Sequence, residues 1–277
     1  KHQHHIHSLI FSLFGLKSRP KRLKMDLKTL LDQNVVSKNT HTDLFAAADP
    51  LQVASKFKTP EISLICALFA YGNAKLIVNF LNSLDFSLLD KSEEQIISNL
   101  TQHKYRFQSC EDVRQIFITV SRLKKHGDIE SAARTGFEKN GSMADGINEL
   151  IKFIYSLNPY RSEGYEFFFG KPYEKAPQSP YKRYNMFLRW MVRDSDIDLG
   201  LFKSLPKSKL LMPLDVHTHR VSLNLGLIAR KSYDFKAVRE LTDKLCEFDP
   251  ADPIKYDFAL YRIGQSGELA QILSWIK

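Results

Sequence analysis

The chain has 277 residues, enough for one large domain or two small ones with a buried core. It is 43% hydrophobic and 26% charged, which excludes a disordered or fibrous chain. Most of the +9 net charge lies in residues 1–24, which hold cations and no acid, so any basic surface on the rest must come from local clustering.

The opening KHQHHIHSLIFSLFGLKSRPKR contains an apolar run, Ile6–Leu16, too short to span a bilayer. It lacks a small-residue cleavage site and is followed by further cations, unlike a secretory signal. Residues 1–24 therefore read as a leader or upstream extension, with the native start near Met25; an amphipathic anchor is the alternative. Cys66, Cys110 and Cys246 are odd in number and far apart, which predicts no disulfide framework and a reducing, cytoplasmic compartment. Without a CxxC pair, neither a zinc knuckle nor a four-cysteine cluster is expected.

Helical periodicity dominates the body. Ile62, Ile65, Cys66, Phe69 and Ala70 predict a helix starting near Pro60–Glu61, with Cys66 in the core. After a break at Gly72-Asn73, Leu76, Ile77, Phe80, Leu81 and Leu84 predict a second. Further helices follow around Val113–Val120, Ile147–Ile154 and Met186–Met191. The last are predicted around Val221–Ile228, Ala237–Leu245 and Phe258–Tyr261, with Ile272 and Trp275 closing the chain. No alternating run with hairpin turns and no repeat is found, so the predicted class is all-α. Asn158 to Tyr181 reads as one long irregular stretch, and loops of that length tend to be functional. Asp194-Ser195-Asp196-Ile197-Asp198 lacks EF-hand spacing and reads as a solvated acidic connector.

Two segments carry candidate chemistry. In Ser179-Pro180-Tyr181-Lys182, Ser then Pro predicts an N-cap and a first helical residue, placing Lys182 in the first turn. The positive end of the helix dipole disfavours an ammonium there, and a nucleophile has to be the uncharged amine. Lys182, Arg189 and Arg193 share one helical face, which suits a phosphate backbone; the plain alternative is a snorkelling lysine with solvated arginines. In PLDVHTHRV, Asp215 follows a proline and precedes a helical pattern, so it is predicted as an N-cap held as a carboxylate. On a strand, Asp215, His217 and His219 would line up as metal ligands, but the downstream helical spacing argues against a metal site.

SPYKRYNMFLRWMVR, PLDVHTHRVSLNLGL and DPIKYDFALYRIG together resemble a family of uncharacterised bacterial proteins related to the archaeal 8-oxoguanine (GO) glycosylases. The resemblance covers most of Met25–Gly264. It implies the helix-hairpin-helix DNA glycosylase fold, two helical subdomains around a cleft, without cofactor or metal. A central bundle is expected over about 75–210, with a second layer from about 25–74 plus 211–277. The 33 residues between Lys182 and Asp215 resemble the archaeal branch, whereas the common glycosylases are closer-spaced. The chain lacks the common Leu-Pro-Gly-x-Gly hairpin, and Pro177-Gln178-Ser179-Pro180 is expected to form the turn instead.

The resemblance implies a bifunctional glycosylase and AP lyase acting on oxidised guanine in double-stranded DNA, in the nucleoid, with no membrane and no obligate protein partner. Lys182 would be the nucleophile and Asp215 the carboxylate that stabilises charge at the sugar. Asp257 and Tyr261, four residues apart on one helix face, would read and stack on the flipped base; the plain alternative is a core Tyr261 and an Asp257 paired with a nearby Lys or Arg. Asn73, Arg183, Arg189, Arg193 and His217 would contact DNA. The rivals are another damaged or mismatched base, or a DNA-structure binder without catalysis.

Overall fold

The computed structural model describes residues 25–276 except Asp196, so the leader expectation for residues 1–24 lies outside the described residues. Among the described residues there are fifteen α-helices, three 3₁₀ turns and no strand, in agreement with the all-α class. Two isolated bridges, Met25 with Ile276 and Tyr105 with Gln108, complete the pairing there.

Short polar side chains start most of the helices, as helix-end physics requires. Asp26, Thr40, Ser109, Ser162 and Asp234 each accept a backbone N–H in the first turn of the helix that follows. The expected helices appear as Pro60–Leu68, Ala74–Ser83, Cys110–His126, Met143–Leu157, Lys182–Val192, Phe235–Phe248 and Asp257–Ser266. The one predicted over Val221–Ile228 is Val216–Asn224; Leu225 and Ile228 are buried just past its end.

Several helices lacked a readable stripe. Leu27–Lys38 buries only Leu30 and Leu31 on one face. Ile129–Asn140 carries Gly136 in mid-helix, an apparent breaker. The glycine is there because the helix touches its neighbour Met143–Leu157: a Cβ on Gly136 would lie 2.2 Å from the Asp145 carbonyl oxygen. Gly146 returns the contact: a Cβ there would lie 2.7 Å from the Ala133 carbonyl oxygen. The Asn158–Tyr181 stretch holds one helix, Glu163–Phe169, and is otherwise irregular. Asn148 pins its middle, donating to the Tyr173 carbonyl at 3.0 Å and accepting from the Tyr173 N–H at 2.8 Å.

Two helix pairs set up the site. Pro60–Leu68 packs on Lys182–Val192, and Val216–Asn224 packs on Asp257–Ser266. Gly264 lets the second pair close up, since a Cβ there would sit 3.2 Å from Val221 and 3.5 Å from the His217 Cβ. Leu27–Lys38 backs this pair, and the Met25 N–H donates to the Trp275 carbonyl at 2.9 Å, so the two ends of the described chain meet.

Candidate active site in the cleft

A cleft of about 1190 Å³ opens between these helix pairs. Small-molecule sites run to roughly 300–1,000 Å³, so the space admits a ligand larger than one nucleoside. Lys182, Asp215, Asp257, Tyr261, Asn73 and His217 all line it, although they span nearly two hundred residues of chain. The irregular stretch after Glu163–Phe169 forms another part of the wall, including Tyr173 and Tyr181.

Lys182 is the first residue of its helix, half-buried at the cleft wall. The expected Ser179 cap and Pro180 first turn are corrected by two residues. Tyr181 is the cap residue, in a left-handed conformation (φ 48°) that ends the preceding extended segment. The Pro177–Pro180 turn docks through the Gln178 carbonyl, which accepts from the Phe235 N–H at 3.1 Å. Asn185 steadies the helix start by donating to the Pro180 carbonyl at 3.0 Å.

Asp215 caps Val216–Asn224 as expected: one carboxylate oxygen accepts from the Thr218 N–H at 2.7 Å. His217 is exposed at the rim, while His219 turns inward and meets the Arg230 carbonyl at 3.0 Å. The helix thus separates the three residues of the alternative metal reading. Among the described residues no group of His, Cys, Asp or Glu is arranged to hold a metal ion.

Asp257 opens its own helix and is buried, 5% exposed, at the cleft wall. One of its oxygens accepts from Arg189 Nη1. Burial is the main reason its carboxyl is raised to about 6; the Arg189 charge opposes this, the Asp215 charge adds to it, and Lys182 lowers it. Both Lys182 and Asp215 therefore lie within electrostatic reach of Asp257. Tyr261, one turn along the helix, packs against the core and accepts a hydrogen bond from Gln265 Nε2 at 2.6 Å. Burial, reinforced by Asp49 and Asp215, pushes its phenol far up and keeps it protonated.

Three of the expected DNA contacts are placed differently. Arg189 and Arg193 are buried, with Arg193 just past the helix end, so neither follows a phosphate backbone. Their charge is neutralised inside: Arg189 Nε donates to Asp198 at 3.0 Å, and Arg193 binds Asp198 through Nη1 and Asp252 at 2.9 and 3.0 Å. The acidic connector is exposed at Asp194 and Ser195 as expected, but corrected at Asp198, whose side chain is buried between two guanidiniums rather than solvated. Arg183 turns from solvent to donate to the Leu68 and Phe167 carbonyls, at 2.5 and 2.6 Å, and lies over the Tyr71 and Phe167 rings. Asn73 caps Ala74–Ser83, its carbonyl oxygen accepting from Lys75 and Leu76 at 3.0 and 3.2 Å, and remains exposed at the cleft edge.

Sequence reasoning missed Asp49, Tyr233 and the Tyr71–Phe167 pair, all on the cleft wall. The aromatic run Phe167-Phe168-Phe169 inside the irregular stretch was a usable signal; Asp49 and Tyr233 offered none. Cys66 is buried in the core as expected, and Cys66, Cys110 and Cys246 are free thiols. No described helix is long and apolar enough to cross a membrane.

No curated protein and no solved structure matches the chain. The family model described as "Protein of unknown function (DUF2400)" matches residues 49–266, the span that contains every residue of the cleft named above. By that match the chain belongs to the DUF2400 family.

Proposed function

We propose that the protein is a helix-hairpin-helix DNA glycosylase with AP lyase activity, acting on oxidised guanine in double-stranded DNA. The observation that carries this reading is that a lysine and an aspartate, Lys182 and Asp215, line one cleft from the N-terminal ends of two separate helices. A buried carboxyl and an aromatic ring, Asp257 and Tyr261, share that wall.

In this reading a damaged nucleotide is turned out of the duplex into the cleft, with Tyr261 against the base face and Asp257 at its edge. The Lys182 Nζ lone pair forms a bond to C1′ as the C1′–N9 bond breaks and the base leaves with that electron pair. The Asp215 carboxylate faces the positive charge at the sugar and accepts the proton shed by the amine. Ring opening gives a Schiff base. Loss of a C2′ proton then expels the 3′ phosphate and nicks the strand, and water releases the lysine. Asn73 and His217 stand at the rim, where the distorted backbone would pass.

Borohydride reduction in the presence of a duplex bearing one 8-oxoguanine tests the proposal. The expected result is a covalent protein–DNA adduct in the native chain and none in Lys182→Ala. Trapping that survives in Lys182→Ala overturns the role of Lys182. Salt-sensitive DNA binding without base release, across a panel of oxidised, alkylated and mismatched bases, overturns the enzyme reading altogether.

A further inference from the structure

A buried group of five charged side chains, Arg189, Arg193, Asp198, Asp252 and Asp257, reaches the cleft wall through Asp257 and Arg189, and the proposed chemistry uses Asp257 alone of them. Among the described residues three carboxyls face two guanidiniums, an excess of one negative charge when all are ionised. Desolvation makes that excess costly, and the economical remedy is one proton.

The hydrogen bonds show which carboxyl is least held. Asp198 accepts from both arginines, one on each oxygen, and Asp252 accepts a two-pronged bond from Arg193. Asp257 receives a single hydrogen bond, from Arg189 on Oδ2. The charged and titratable groups that act on it also include Lys182 on the same helix as Arg189, Asp215 at the start of Val216–Asn224 and Tyr261 on its own helix. Asp257 is also the member of the group that, with Arg189, reaches the cleft.

We propose that Asp198, which does not itself line the cleft, is a positioning residue that sets the hydrogen-bonding face Asp257 offers to a nucleobase, by sharing Arg189 with it. The inference rests on the cleft taking a flipped base. Arg189 occupies one oxygen of Asp257 and leaves the other for a ligand. As a carboxylate, Asp257 accepts from an edge with adjacent N–H donors, as guanine has at N1 and N2. Carrying the proton, it can also donate, which suits an adenine-type edge with a ring nitrogen beside an N–H. Asp198 holds the balance, because its negative charge draws on the guanidinium that would otherwise stabilise the Asp257 carboxylate alone.

The test is an NMR titration of the full chain labelled with ¹³C-aspartate, paired with affinities for two duplexes carrying a single 8-oxoguanine or a single 8-oxoadenine. One carboxyl signal is expected to titrate near pH 6 and to vanish in Asp257→Asn. In Asp198→Asn its midpoint should fall by about one pH unit or more, since Arg189 then serves Asp257 undivided. The native preference for 8-oxoguanine over 8-oxoadenine should rise through the same midpoint, and Asp257→Asn should flatten it. A folded Asp198→Asn whose midpoint is unmoved overturns the proposal, as does a native chain with no aspartate titrating in that range. If Asp198→Asn does not fold, Arg193→Gln gives the opposite reading: Asp198 then draws on Arg189 alone and the Asp257 midpoint should rise; a midpoint that stays or falls overturns the proposal. If the titrations behave as stated and neither duplex is bound above undamaged DNA, the nucleobase reading of the cleft fails while the coupling of Asp198 to Asp257 stands.

Discussion

Asp215 and Asp257 face one cleft from the N-terminal ends of two helices, Val216–Asn224 and Asp257–Ser266, that pack directly on each other. The two carboxyls are set apart by their surroundings. Asp215 is half-buried and bound to a backbone N–H, while Asp257 is buried and leans on one guanidinium. Two carboxyl groups in unlike settings can take unlike roles in a single reaction.

The dual duty of Asp215, cap and carboxylate, can be divided. In Asp215→Asn the side-chain oxygen still accepts from Thr218, so unfolding stability should stay within about 0.5 kcal/mol of the native chain. Strand cleavage and borohydride trapping should fall by about 10² to 10⁴, the usual worth of a positioned acid–base group. Asp215→Ala should lose activity and about 1 kcal/mol of stability as well. Full lyase activity in a folded Asp215→Asn would contradict the assignment.

Arg189 should be costly to replace, for a reason unrelated to DNA. Arg189→Met leaves Asp198 and Asp257 without their shared cation. Removing one partner of a buried ion pair typically costs about 3–5 kcal/mol. Urea unfolding should show that loss, against less than about 1 kcal/mol for a solvated rim residue such as His217→Ala. Equal stabilities for the two variants would mean the network does not hold the fold.

Stability should depend on pH through Asp257. Its folded carboxyl holds a proton to about 6, from a usual value of 3.8, so the folded chain is the more protonated form across that window. Its contribution is full below pH 4 and is lost as pH rises through 6. Relative to Asp257→Asn, the native chain should therefore lose stability between about pH 4 and pH 6. Melting temperatures across that range, compared between the two proteins, check the sign; a difference that grows in favour of the native chain with rising pH would refute it.

The contact of Ile129–Asn140 with Met143–Leu157 has no room for a side chain at Gly136. Gly136→Ala should cost about 1–3 kcal/mol or more, because the obstruction is a backbone carbonyl that cannot rotate away. DNA binding and trapping should persist at a temperature where the variant is folded, since Gly136 does not line the cleft. Unchanged thermal stability would show that the helices yield.

Much of the fold was readable because amphipathic helices announce themselves through apolar spacing. Cys110–His126 and Phe235–Phe248 enclose the apolar spans that predicted them, and Phe235–Phe248 buries a single face. Leu27–Lys38 and Ile129–Asn140 were not readable, the first for want of an apolar stripe and the second because its glycine serves a neighbour. Lys182, Asp215, Asp257 and Tyr261 stood out as candidates from helix-end chemistry and family resemblance, and all four line the cleft. The arginines were misplaced because spacing gives the face of a helix but not what that face meets: Arg189, though it reaches the cleft with Lys182, and Arg193 both end among buried carboxyls.

Local sequence determined the all-α class, the cap at Asp215 and the break at Gly72-Asn73, since each depends on residues within a turn or two of one another. Tertiary structure alone decided that Asp198 lies between two guanidiniums, that Arg183 is spent on two carbonyls and that Tyr71 and Phe167 share a wall with Lys182. The physical reason is the price of burying charge: a cation is surface or core according to whether the chain brings it a partner, and those partners arrive from helices and loops far away in sequence.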